Sequence, residues 1–153
     1  NDGVVAGNKV YVFQRNAEGV WEETQILRAE DDVRGFGHTL SISGDRLLVG
    51  APDRDVHGRA EQGAVFLYQR NAEGAWALAR EIRKVNGQAD DRFGVVAISG
   101  DHALIGVSGH DQDGESTGGA YFYALHQEQV CGADGACVCR EGWQGADCSA
   151  PSP

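Results

Sequence analysis

Four cysteines, Cys131, Cys137, Cys139 and Cys148, crowd the end of the chain, and the 130 residues before them contain none. Such a cluster serves either disulfide crosslinking, which restricts the unfolded state of a segment too short to build a core, or zinc, which four thiolates can bind. A single Cys-x-Cys fits zinc spacing poorly, so crosslinking and an oxidising compartment are the better reading, with three pairings open to four cysteines. Ser108 in Gly106-Val-Ser-Gly-His110 approaches a nucleophile elbow, but the second glycine comes one place early and the strand-turn-helix context is missing. His38, His57, His102, His110 and His126 lack the paired spacing of a zinc hydrolase. Asp31, Asp32, Asp90 and Asp91 form two acid pairs that could do acid–base work, yet a catalytic pair is needed once and this one recurs. Turn capping is the expectation for them, and packing within the fold rather than sugar stacking for Trp21 and Trp76. No phosphate loop or nucleic-acid motif is present, and the chain is not expected to be an enzyme.

The composition sets the frame in which these residues must be held. The chain has 153 residues, and its net charge of −10, from 23 acidic and 13 basic residues, argues against phosphate backbones and anionic membranes as partners. Twenty-two glycines against three prolines suit many short strands joined by tight turns. No apolar run approaches the length that crosses a bilayer, so membrane insertion is not expected. The absence of methionine and the start at Asn1 suggest a processed chain or one cut from something longer.

Internal repetition supplies the positioning elements. Val10-Tyr-Val-Phe-Gln-Arg-Asn-Ala-Glu-Gly19 returns 55 residues later as Val65-Phe-Leu-Tyr-Gln-Arg-Asn-Ala-Glu-Gly74, each copy followed by a tryptophan. Ser41-Ile-Ser-Gly-Asp-Arg-Leu-Leu-Val-Gly50 returns after 56 residues as Ala97-Ile-Ser-Gly-Asp-His-Ala-Leu-Ile-Gly106, and Gly63-Ala-Val-Phe-Leu-Tyr68 as Gly119-Ala-Tyr-Phe-Tyr-Ala124. Segments 10–15, 21–27, 37–43, 46–52, 63–70, 76–83, 94–99, 102–108 and 119–125 are rich in strand formers, and no helical period competes with them. Asn16–Gly19 and Asn71–Gly74 are expected to turn one hairpin per repeat, with glycine leading into a β-bulge, and Ser43–Asp45 and Ser99–Asp101 another. The class is all-β. Four short antiparallel strands per repeat suit a partial β-propeller, with a sandwich as the structural alternative.

Phe36-Gly37 with Gly50-Ala51-Pro52, and Phe93-Gly94 in the next repeat, resemble the FG-GAP repeats of integrin α-chain propellers and their bacterial relatives. Gly106-Val107-Ser108 departs from the second signature. The resemblance covers residues 2 to about 125 and implies about two and a half four-stranded blades within 1–127. It also implies a calcium loop after the second strand of a blade, placing Asp53, Asp55 and Glu61 as ligands in one repeat and Asp111, Asp113 and Glu115 in the next. Calcium wants six to eight hard oxygens, and His57 and Gly109 stand where ligands are usual, so acidic surface turns are the competing reading.

The cysteine segment, with Gly142-Trp143 and Gly145 between its last two cysteines, resembles the second half of an EGF-like module. That resemblance implies a disulfide module over 128–149, with Cys139 paired to Cys148 and Cys131 to Cys137, and leaves 150–153 as a tail or linker. Two and a half blades do not close a ring, so a fragment of a longer chain is expected, or else copies that complete one another. Functionally, the resemblance implies a secreted, extracellular or cell-surface adhesion or recognition module that binds a protein or glycan partner through its loops. The alternative is a self-assembling building block whose partial blades pair with other copies into a ring or fibre.

Overall fold

The computed structural model describes residues 8–29, 33–109 and 117–125, together with the backbone of residues 129–131, 137–139, 143–144 and 150–151. Two compact units divide the chain, Asn1–Tyr123 and Ala124–Pro153. The first contains three antiparallel sheets. β1 (Lys9–Arg15) and β2 (Trp21–Arg28) form the first; β3 (Thr39–Ser43), β4 (Arg46–Ala51), β5 (Ala64–Arg70) and β6 (Trp76–Ile82) form the second, in chain order; β7 (Phe93–Ser99), β8 (His102–Val107) and β9 (Gly119–Ala124) form the third. Each of the nine expected segments thus holds a strand.

The recurring hairpins close in the same way in both copies. Asn16 and Asn71 accept, through Oδ1, the backbone N–H of Val20 at 2.9 Å and of Ala75 at 2.8 Å, which ties each side chain across its own loop. Gly19 and Gly74 take φ of 84° and 86°. The bulge lies further along the ladder than the glycine, between Val12 and Phe13 in one hairpin and between Leu67 and Tyr68 in the other. Gly44 and Gly100, at φ of 56° and 55°, open the two-residue loops of the second hairpins.

Packing between sheets follows from strand alternation. Val10 and Leu27 of the first sheet bury themselves against Leu47, Val49, Phe66, Tyr68 and Trp76 of the second. Phe36 meets Phe66 edge-on, with centroids 5.3 Å apart at 72°, an arrangement worth about 0.5–1.5 kcal/mol beyond its buried area. Gln25 adds a two-way clasp to the Trp76 backbone, donating to its carbonyl at 2.7 Å and accepting from its N–H at 2.8 Å. Along β3 the residues alternate by partner: Leu40 and Ile42 share one face, while Thr39, Ser41 and Ser43 aim hydroxyls at the third sheet. Ser41 Oγ accepts from the Ile98 N–H and Ser43 Oγ from the Gly100 N–H, both at 3.0 Å, and Thr39 Oγ1 donates to the Gly94 carbonyl.

The third sheet departs from the second in one register. The repeat aligns Phe122 with Phe66, but Phe66 is buried and Phe122 is exposed. Tyr121 and Tyr123 instead turn inward and meet Phe93 edge-on at 6.4 and 6.0 Å. A one-residue offset sends every side chain of a strand to the opposite face, and two tyrosines gain burial where one phenylalanine loses it.

Within the second unit, β10 (Gln129–Cys131) pairs with β11 (Cys137–Cys139), and β12 (Trp143–Gln144) with β13 (Ala150–Pro151), all antiparallel. Cys131 stands opposite Cys137 in backbone register. The cysteine side chains, and Cys148 altogether, lie outside the described residues, as do the expected pairings.

Candidate functional site

The connection from β4 to β5 carries the first expected acidic loop. Its tip is a two-residue turn: Val56 and Arg59 exchange both backbone hydrogen bonds at 3.0 Å, and His57 and Gly58 between them take φ of 50° and 79°. Positive φ at both central residues is what such a turn demands, and histidine tolerates it better than most side chains. Asp55 Oδ1 accepts the Glu61 N–H at 2.9 Å across the base of the loop. Asp53 lies under Gly35, where a Cβ would come 3.0 Å from its Oδ2.

Guanidinium groups surround these acids. Arg92 donates to Glu61 Oε2 through Nε at 3.1 Å and through its terminal nitrogen at 2.7 Å, and Arg34 approaches Glu61 Oε1 at 3.9 Å. Arg83 forks onto Glu81 at 2.7 and 3.0 Å and also donates to His57 Nε2 at 2.8 Å, so that nitrogen of the ring is an acceptor. Arg54 meets Glu81 at 3.4 Å and covers the Phe66 ring at 5.2 Å. The Arg92 guanidinium is held above its usual range by its hydrogen bonds to Glu61 and then by that carboxylate's charge. The Arg83 guanidinium is raised chiefly by its hydrogen bonds to Glu81, against desolvation and with a smaller contribution from that carboxylate's charge. Solvent screens the pairs of Arg34 and Arg92 with Glu61, so these orient the loop more than they stabilise the fold.

The connection from β6 to β7 is laced to this loop by its backbone. Asp90 and Arg92 donate their N–H groups to the carbonyls of Ala60 and Glu61 at 2.9 Å, and Phe93 to that of Gln62 at 3.0 Å. Among the described residues, six non-glycines have positive φ, and His57, Glu61, Asn86, Asp90 and Arg92 in these two connections are five of them. Backbone held in such conformations costs about 1–3 kcal/mol per residue and gathers at functional positions. Asp90, Arg92, Ser108 and Gly109 line an open polar depression of about 360 Å³ beside the lacing.

The sequence-predicted residues therefore divide. Asp53, Asp55 and Glu61 share one loop but do not converge. Among the described residues no three His, Cys, Asp or Glu side chains gather as metal ligands, and Glu61 already holds guanidinium groups. Asp111, Asp113 and Glu115 lie outside the described residues, as do Asp31, Asp32, His110 and His126. Asp91 caps a turn as expected, accepting the Gln88 N–H at 2.6 Å. Trp76 packs between sheets, whereas Trp21 is exposed because no sheet lies over it among the described residues. Sequence reasoning missed Arg34 and Arg92, although an arginine recurs just before each Phe-Gly and that recurrence was a usable signal.

The Phe-Gly and Gly-Ala-Pro signatures meet in space. Gly94 of the third sheet lies against Gly50 and Pro52 of the second so closely that a Cβ on Gly50 would overlap the Gly94 carbonyl, and one on Gly94 would come 2.9 Å from the Pro52 nitrogen. The FG-GAP repeat family matches residues 21–68 and 76–123, well over half of the chain. The chain belongs to the FG-GAP repeat family. Each sheet of the first unit is accordingly a blade or part of one, and the FG-GAP signatures are the contact where the second blade meets the third. The family match stops at residue 123, ahead of the cysteine segment. No curated protein matches the chain.

Proposed function

We propose that this FG-GAP chain is an extracellular recognition or adhesion module without catalytic activity, meeting a protein or glycan partner at the laced rim between its second and third blades. Membership of the family supports the coarse reading, since FG-GAP repeats typically occur in extracellular or surface proteins. No helix among the described residues is long and apolar enough to cross a membrane. The observation that carries the finer reading is the run of left-handed residues beside the polar depression, where Asp90, Arg92 and Ser108 offer a carboxylate, a guanidinium and a hydroxyl. Groups of that kind select polar ligands by orientation. Screening the purified chain against glycan and peptide arrays, beside an Asp90→Asn/Ser108→Ala variant, tests it. Hits lost in the variant support the rim as the binding site, and hits retained there assign recognition elsewhere.

Calcium belongs to this reading as a stabiliser of the loops, and it requires an exchange. For Asp53, Asp55 and Glu61 to gather around one ion, Arg92 has to release Glu61, so calcium and the guanidinium compete for the same carboxylate. Arg92→Ala should then tighten calcium binding measured by calorimetry; equal, negligible heats in both proteins would remove calcium from the first loop.

A second reading, a building block that stacks copies through blade faces, rests on exposed apolar side chains at both ends of the stack. Tyr11, Phe13 and Trp21 are 51%, 52% and 65% exposed, whereas their repeat counterparts Phe66, Tyr68 and Trp76 are 4–7% exposed beneath the first blade. Val95, Leu104 and Phe122 are bare on the third blade.

A further inference from the structure

The connection from β6 to β7 carries a dipeptide found nowhere else in the chain. There are five asparagines, and only Asn86 precedes a glycine. Asn1, Asn8, Asn16 and Asn71 precede Asp2, Lys9, Ala17 and Ala72, whose side chains crowd the backbone nitrogen that follows each asparagine. Asn16 and Asn71 are also held in place, each by the backbone N–H that its Oδ1 accepts. Asn86 is exposed in the left-handed region at φ 56°, and its carboxamide has no hydrogen-bond partner among the described residues. The Gly87 N–H donates to the Lys84 carbonyl at 3.2 Å, the long end of the hydrogen-bond range. The fold keeps a glycine there, because a Cβ would overlap the amide of Gln62, which is itself buried.

We propose that Asn86-Gly87 is a site of covalent self-modification, at which the chain converts asparagine to isoaspartate and so loosens the lacing between its β4–β5 and β6–β7 connections. The Gly87 nitrogen passes its proton to water and attacks Cγ of Asn86. The N–Cγ bond forms, the Cγ–Nδ2 bond breaks, and ammonia leaves with a proton returned from water. Water then opens the cyclic imide. Breaking the N–Cγ bond leaves aspartate, whereas breaking the bond from nitrogen to the Asn86 main-chain carbonyl carbon reroutes the backbone through Cγ and leaves isoaspartate. Glycine places no Cβ in the path of the attack, and water is the sole co-reactant.

The surroundings decide what the product does. Isoaspartate adds a methylene to a segment whose ends are tied by the buried Lys84–Asp91 pair at 3.0 Å. Buried Gln62 blocks the inward route for that extra length, and its carbonyl accepts the Phe93 N–H, one of the bonds that lace the two connections. The displaced backbone therefore works against the lacing, and the new carboxylate joins Asp90 and Asp91 on one connection of a chain already at −10. The inference stands apart from the rim reading, because it is read in covalent mass and amide exchange rather than in binding.

The full chain is aged in mildly alkaline buffer at physiological temperature, digested with trypsin and mapped by mass spectrometry with electron-transfer fragmentation, which separates isoaspartate from aspartate. The diagnostic peptide is residues 85–92, Val-Asn-Gly-Gln-Ala-Asp-Asp-Arg. The expected result is loss of the Asn86 amide, chiefly to isoaspartate, while Asn16 and Asn71 keep theirs. In the converted chain the amides of Asp90, Arg92 and Phe93 should exchange about threefold or more faster than in the fresh chain. An Asn86→Gly variant, suited to the same φ, should age without that acceleration. An Asn86 amide that survives, or that is lost no faster than those of Asn16 and Asn71, overturns the proposal. Exchange unchanged after conversion, or equally accelerated in aged Asn86→Gly, overturns it too, by showing that isoaspartate does not act on the lacing.

Discussion

Lys84 and Asp91 carry the most deeply buried charges among the described residues, with side chains 4% and 2% exposed and Nζ–Oδ2 at 3.0 Å. Lys84 also lies 5.8 Å from the Tyr121 ring centroid. Removing one member leaves the other charge buried, so Asp91→Asn is expected to cost about 3–5 kcal/mol in urea unfolding, whereas Lys84→Met with Asp91→Leu should recover most of that loss. A loss under 1 kcal/mol for Asp91→Asn would mean that water reaches the pair. Tyr123 gives a second handle. Burial, and then neighbouring Tyr121, push its phenol above the usual range. The folded chain therefore holds this proton more tightly than the unfolded chain does; its contribution is whole below the ordinary phenol pKa and is lost as pH rises through the raised one. Tyr123→Phe should flatten the fall of stability above about pH 10, and an unchanged slope would assign that fall to other groups. At this scale the sequence showed Asp91 as a turn cap but hid its lysine, since the pairing depends on how the intervening turn folds back.

Strand positions were legible because each hairpin keeps its period-2 pattern and its turn residues in both copies. The inward turn of Tyr121 and Tyr123 was not, because alternation marks two faces without naming the buried one, and aromatic residues occupy both. Blade contact is where element and signature coincide. Gly50 lies under the Gly94 carbonyl and beside Thr39 Oγ1 with no room for a Cβ. Gly50→Ala must push the blades apart and is expected to cost about 3 kcal/mol or more, read as a lowered urea midpoint. A neutral outcome would show that the contact yields easily. The candidate site was half legible for a similar reason: the period laid out Asp53, Asp55 and Glu61, but the arginines that engage the loop arrive from the connections before two different Phe-Gly elements.

For the whole molecule, the repeat explains both what is packed and what is bare. Trp76 and Trp21 occupy the same place in successive blades, and among the described residues only Trp76 has a blade over it, so the same residue type differs in burial. The stacking reading proposed above implies head-to-tail contact between copies through the exposed Trp21 and Phe122, a geometry that closes into rings or runs on into filaments. On that reading, sedimentation of the full chain should show association that grows with concentration and that weakens in a Trp21→Ser/Phe122→Ser double variant. A single species in both proteins across the concentration range would remove self-assembly from consideration.

The hydroxyls of β3 make the joint between blades separately observable. The N–H groups of Ile98 and Gly100 are held by Ser41 and Ser43, side chains of a different sheet, rather than by strand pairing within their own. Their exchange with solvent deuterium is thus gated by separation of the blades even while each sheet stays intact. Two amide signals serve as an isotopic clock for the opening of one molecular seam, distinct from the clock of global unfolding.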